Sequence, residues 1–192
     1  RWAQPFVFAY RWEGALAGIR VLLVDDHAVV RAGYRQLIAT VADIEVVAES
    51  DTGEAAYQRY FEIKPNVVVM DLSLPNMSGL ETIRRIKTRD NLAAILVFTI
   101  HNETIFVQRA IEAGATGYLT KSCQPEDLIE GIYAVAKGAL FIESGLWQPG
   151  NEKDGNGAES EVKQLSIREF DVYCLLVKGL STSEIAGKLF LS

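Results

Sequence analysis

The chain has 192 residues, 49% of them hydrophobic and 23% charged, which is the composition of an ordinary globular protein and excludes a disordered or fibrous one. At roughly 150 residues per domain it holds one full domain and part of a second, or two small ones. Lys and Arg number 19 against 25 Asp and Glu; a net charge of −6 gives no whole-chain field that gathers nucleic acid or anionic membrane, so a DNA contact requires a local basic patch.

The first 18 residues carry five aromatics (Trp2, Phe6, Phe8, Tyr10, Trp12), lack an initiator Met and show neither helical nor strand period. They are expected to be a leader of introduced or upstream-translated sequence rather than an aromatic docking arm. The apolar run Pro5 to Tyr10 is too short for a signal peptide, and no run approaches the length of about 20 residues that spans a bilayer. Cys123 and Cys174 lie far apart, with no CxxC and no Cys/His cluster, which excludes a disulfide scaffold and a structural zinc site. A cytoplasmic location without membrane attachment is the expectation. Both cysteines are read as small hydrophobes.

From Ile19 onward, short β-branched apolar runs alternate five times with longer amphipathic ones. Strands are predicted at Ile19–Val24, Ile44–Glu49, Asn66–Asp71, Ala94–Thr99 and Gly117–Leu119. Helices are predicted at His27–Ala39, Thr52–Ile63, Gly79–Thr88, Glu103–Ala113 and Pro125–Lys137. Strands this apolar are covered on both faces, and their alternation with helices gives an α/β fold, a doubly wound five-stranded parallel sheet. In such a sheet ligands gather at the carboxyl ends of the strands. Those ends are polar here: Asp25 and Asp26 after the first strand, Asp71 after the third, Thr99 at the fourth and Lys121 after the fifth.

The chain is divided as a leader over 1–18, an α/β domain over 19–140, a linker over 141–163 rich in Gly, Asn, Glu and Ser, and an all-α unit over 164–192. Ser166 and Glu169 form a predicted capping box for a helix that stops near Gly179. Ser181 and Glu184 repeat the pattern for a second helix, the start of a helix-turn-helix.

If Asp25, Asp26 and Asp71 converge, their mutual repulsion calls for a hard divalent cation with oxygen ligands, and Mg²⁺ is the usual one. One carboxylate is then available as a nucleophile towards phosphorus, Lys121 as a point charge for phosphoryl oxygens and Thr99 as a hydroxyl donor.

The segments Val21-Leu22-Leu23-Val24-Asp25-Asp26-His27, Val68 to Pro75 with Gly79, Val97-Phe98-Thr99 and Gly114 to Lys121 closely resemble the receiver domain of two-component response regulators, whose fold is flavodoxin-like. Leu165 to Glu169 followed by Gly179 to Ser192 resembles the opening of a LuxR-type helix-turn-helix, so the chain resembles the NarL/FixJ group over about residues 19–192. The resemblance implies that Asp71 is the phosphoacceptor, served by a sensor histidine kinase. Asp25, Asp26, Asp71 and the backbone carbonyl of Ser73 would be the Mg²⁺ ligands. Lys121 would hold the phosphoryl group, and Thr99 and Tyr118 would be the switch pair. It implies a regulator rather than an enzyme in the usual sense, although the receiver would promote its own phosphorylation and dephosphorylation. Homodimerisation on phosphorylation and binding of promoter DNA by the full-length protein are further implications. DNA binding is not expected of residues 1–192 alone, because in the resemblance the reading helix follows the segment that matches Leu191-Ser192. Residues 160–192 are also neutral, with Lys163, Arg168, Lys178 and Lys188 against Glu161, Glu169, Asp171 and Glu184.

Weighed singly, these residues have plainer readings. An Asp pair is commonly a helix cap, Tyr118 alone reads as a half-buried strand aromatic, His27 as a residue of a first helical turn, and His101 as a surface-loop histidine rather than a tuner of dephosphorylation. A phosphate-independent interaction module with the same fold is the alternative to a phosphorylation switch. An aspartyl-phosphate phosphohydrolase is disfavoured, since Ser73 stands where a second acid belongs.

Overall fold

The computed structural model describes residues 18–147, 165–177 and 179–189; the expected leader, apart from Gly18, and most of the expected linker lie outside them. Strands β1 (Ile19–Val24), β2 (Ile44–Ser50), β3 (Val67–Met70), β4 (Ile95–Thr99) and β5 (Gly117–Thr120) fall within a residue of their predicted bounds. Helices α1 (Ala28–Ile38), α2 (Gly53–Ile63), α3 (Gly79–Arg89), α4 (Thr104–Ala113) and α5 (Pro125–Ala136) alternate with them. A two-residue strand, β6 (Phe141–Ile142), pairs with β5 at the sheet edge; it is too short to carry a period and has no counterpart in the sequence reading. Two further helices, α6 (Ile167–Val177) and α7 (Thr182–Leu189), complete the described chain.

All pairings are parallel, in the order β2-β1-β3-β4-β5-β6. This is the flavodoxin-like order, and the winding direction reverses between β1 and β3. Strand alternation divides the core in two. Leu22, Val24, Val68, Met70, Ile95, Val97 and Tyr118 face α2, α3 and α4, while Val21, Leu23, Val67, Val69, Leu96, Phe98 and Leu119 face α1 and α5. Both faces are covered, which is why β1, β3 and β4 read as unbroken apolar runs. Burying each such side chain is worth about 1.5–3 kcal/mol relative to exposure.

Helix α3 starts against the loop that follows β3. Ser78 caps it, accepting from the Glu81 amide at 3.3 Å, and the Gly79 amide donates to the Leu72 carbonyl at 3.1 Å. A Cβ at Gly79 would lie 2.2 Å from the Asp71 carbonyl oxygen, so the backbone approach that shapes this loop requires glycine.

Candidate functional site

The loops after β1 and β3 diverge at the point where the winding reverses, so the backbones of Asp25 and Asp71 are neighbours. The Asp71 amide donates to the Val24 carbonyl at 2.9 Å, and the Asp25 amide to the Ser50 carbonyl at 3.0 Å. Both aspartates are 2% exposed. Lys121, carried by the end of β5, bridges them: its Nζ lies 2.7 Å from Asp25 Oδ2 and 2.6 Å from Asp71 Oδ2. Burial works against the ammonium, but Asp71 and Asp25 outweigh it and raise the Lys121 pKa above its ordinary value, so the pocket keeps this positive charge. The remaining carboxylate oxygens accept backbone amides, Asp25 Oδ1 from His27 at 2.8 Å and Asp71 Oδ1 from Ser73 at 3.2 Å.

Asp26 is exposed and pairs with His27, whose Nδ1 lies 2.6 Å from Asp26 Oδ1. One ligand atom from each of Asp25, Asp26, His27 and Asp71 falls within 4.8 Å of the others. Three carboxylates beside one ammonium leave a net negative pocket of hard oxygen donors, and this donor set fits a divalent cation such as Mg²⁺. His27 itself is the N-cap residue of α1, beside the cluster, where the sequence reading puts a first-turn residue.

Thr99, at the end of β4, is fully buried, and its Oγ1 has no hydrogen-bond partner. A buried hydroxyl left in that state costs about 1–3 kcal/mol, which an incoming oxygen anion would offset. Tyr118 is also fully buried, more deeply than a half-buried strand aromatic, and its hydroxyl donates to the His101 carbonyl at 2.9 Å. Burial, with Glu103, Asp71 and Glu143 nearby, pushes its pKa far up and keeps the phenol protonated.

His101 departs from its reading as a surface-loop residue. It is partly buried, its ring stacks on Phe106 with centroids 4.0 Å apart, and Nε2 lies 3.0 Å from the Ser73 hydroxyl. The loops after β3 and β4 are thus joined beside Asp71 by a contact between residues 28 apart in sequence. Cys123 does behave as a small hydrophobe: burial pushes its thiol up to about 11.

Both predicted capping boxes form. Ser166 Oγ accepts from the Glu169 amide at 3.3 Å while Glu169 accepts from the Ser166 amide at 2.7 Å; Ser181 and Glu184 repeat this at 3.4 and 2.8 Å. Helix α6 lies against the α/β domain. Phe170, 1% exposed, joins the core on the α3/α4 side, meets Phe106 edge-on at 5.2 Å and lies under the Arg109 guanidinium. Asp171, 9% exposed, sits near Ser78 with Oδ2 unpartnered, and burial raises its pKa to about 6. A cleft of about 470 Å³ is lined by Asp26, Ser73 and His101 on one side and by Phe170 and Leu175 on the other. Asp26 and His27, at the rim of the acidic cluster, and residues of the C-terminal helices therefore line one cavity.

The family model for the response regulator receiver domain matches residues 21–133. The chain is a two-component response regulator. It is 34% identical over 172 residues to the nitrate/nitrite response regulator NarL of Escherichia coli (strain K12), covering 88% of this chain and 80% of NarL. Among solved structures, a LuxR-family two-component response regulator from Aurantimonas sp. SI85-9A1 is 43% identical with a TM-score of 0.66, covering 68% of this chain and 93% of that one. RcsB from Salmonella enterica serovar Typhimurium, bound to promoter P1flhDC in the presence of phosphomimetic BeF3−, is 25% identical with a TM-score of 0.66, covering 91% and 85%. The NarL and LuxR-type resemblance read from the sequence is thereby established, with the flavodoxin-like receiver fold and a role in transcription regulation. Membership and the complete acidic pocket favour the phosphorylation switch over the phosphate-independent module. No described helix of this response regulator is long and apolar enough to cross a membrane.

Proposed function

We propose that Asp71 accepts a phosphoryl group from a sensor histidine kinase in the cytoplasm. The resulting acylphosphate then controls a DNA-binding helix-turn-helix that begins with α6 and α7. The observation that carries this reading is the Lys121 bridge between Asp25 and Asp71, with the unpartnered Thr99 hydroxyl buried at the neighbouring strand end. In the transfer, a carboxylate oxygen of Asp71 forms a bond to phosphorus as the phosphorus–nitrogen bond of the kinase phosphohistidine breaks. The electron pair stays on the imidazole nitrogen.

Asp25, Asp26, Asp71 and the backbone carbonyl of Ser73 would hold Mg²⁺, which when bound neutralises charge on the phosphoryl oxygens. Lys121 follows the new oxygen charge, and Thr99 satisfies its hydroxyl on it. Tyr118, hydrogen-bonded to His101 in the loop that Thr99 begins, is placed to repack when that loop moves. The receiver would thus promote its own phosphorylation and dephosphorylation without turning over an external substrate. In this reading the receiver spans 19–140, a linker covers 141–163 and the helix-turn-helix starts at 164. The promoter-bound RcsB neighbour supports promoter DNA as the target of the full-length protein, and dimerisation on phosphorylation goes with that reading.

Incubation with acetyl phosphate and Mg²⁺, read by intact mass, should add one phosphoryl group that Asp71→Asn abolishes. An unmodified wild type, or an adduct that survives Asp71→Asn, sinks the proposal.

A further inference from the structure

Asp25 and Asp26 are joined by one peptide unit, so the orientation of that peptide determines where both carboxylates project. Its oxygen, the carbonyl of Asp25, accepts a hydrogen bond from the Arg31 guanidinium at 2.5 Å. Arg31 stands on α1 with its side chain 17% exposed, and its Nε donates at 3.0 Å to Glu49 Oε2 on β2. Glu49 immediately precedes Ser50, whose carbonyl holds the Asp25 amide. Asp25 is therefore gripped at its amide by Ser50 directly and at its carbonyl by Glu49 through Arg31. The foot of this strut is itself braced: the second Glu49 carboxylate oxygen lies 3.5 Å from Arg35 Nε, and its backbone carbonyl accepts from Arg59.

A planar guanidinium donating along two fixed directions at once suits this task, because charge-assisted bonds in a partly dry setting hold one geometry. We propose that Arg31, braced by Glu49, is a positioning residue that fixes the Asp25–Asp26 peptide in the orientation that binds the divalent cation. The proposal rests on the reading of the acidic cluster as a cation and phosphoryl site. Without Arg31 the carbonyl turns to water, and the two carboxylates must be ordered at the moment of binding, a cost that appears as lost affinity. An Arg31–Glu49 pair that merely tied α1 to β2 would affect folding and leave cation affinity alone.

The test measures cation binding directly in the full chain, with Mn²⁺ followed by electron paramagnetic resonance and Mg²⁺ by calorimetry, alongside thermal unfolding. Arg31→Ala should weaken Mn²⁺ binding by about tenfold, the usual scale for removing a group that orients a metal ligand. Glu49→Gln should weaken it less, the double variant should be no worse than Arg31→Ala alone, and Arg31→Lys should recover only part of the loss. Unchanged Mn²⁺ affinity in Arg31→Ala, or in Glu49→Gln and Arg31→Lys where Arg31→Ala does not fold, overturns the proposal while the cluster stands as a cation site. A wild type that binds neither Mn²⁺ nor Mg²⁺ overturns the reading of the cluster, and this inference with it.

Discussion

The two faces of the sheet are built from the same strands by the same alternation, yet they are closed differently. On the α1/α5 side Ile38, Leu128, Ile132 and Val135 complete a core drawn from the receiver alone. On the α3/α4 side the core also takes in Phe170, from beyond the receiver, which packs on Phe106 above the loops beside Asp71. The core of the first face is closed by the receiver's own helices. The second brings Phe170 of α6 against Phe106, whose ring stacks on His101 beside Asp71, so the C-terminal helices and the site share neighbours there.

Equivalent deletions on the two faces should therefore have different outcomes. Phe170→Ala removes a contact of about 3–5 kcal/mol, which should free α6 to protease while the receiver's own unfolding midpoint stays near that of wild type. Ile132→Ala, on the other face, should lower the stability of the whole receiver by about 2–5 kcal/mol, seen as a shift in denaturant midpoint at unchanged slope. If both variants unfold the receiver alike, the contrast between the faces fails.

A smaller effect should come from pH. Burial raises the pKa of Asp171 to about 6 from an ordinary value of 3.8, so the docked state binds the proton more tightly than the undocked one. Docking of α6 is then fully stabilised below the ordinary value and loses that stabilisation as pH rises through about 6, by roughly 3 kcal/mol at most. Protection of α6 from proteolysis should fall over this range, and Asp171→Asn should flatten the profile. Persistence of the pH dependence in the Asn variant would assign it to other groups. The smallest effect belongs to the caps: Ser181→Ala should cost α7 about 1 kcal/mol of helix stability, read from local amide exchange, with no change at the receiver.

Local signals carried most of the fold and much of the site. Apolar periodicity placed five strands, and polar residues at their carboxyl ends pointed to Asp25, Asp26, Asp71, Thr99 and Lys121, because parallel topology brings those ends together whatever lies between them. Capping boxes located α6 and α7 through contacts only three residues apart. What escaped is carried by partners distant in sequence. Ser73 and His101 meet because β3 and β4 are adjacent, and nothing near His101 distinguishes it from a loop residue. Arg31 on an amphipathic helix looks like solvated charge until β2 brings up Glu49. Phe170 looks like the core of a small helical unit, whereas the receiver is what buries it; two helices alone enclose too little.

Helix α4 holds both ends of the connecting segment. The Thr104 hydroxyl donates to the Leu146 carbonyl at 3.3 Å, and the Arg109 guanidinium to the Leu165 carbonyl at 2.6 Å. These moorings lie five residues apart, about 7.5 Å along a helix axis. Entry and exit of the segment thus ride on a single rigid carrier. Any displacement of α4 would therefore carry Leu146 and Leu165 in the same direction, and Leu165 stands two residues before α6 begins.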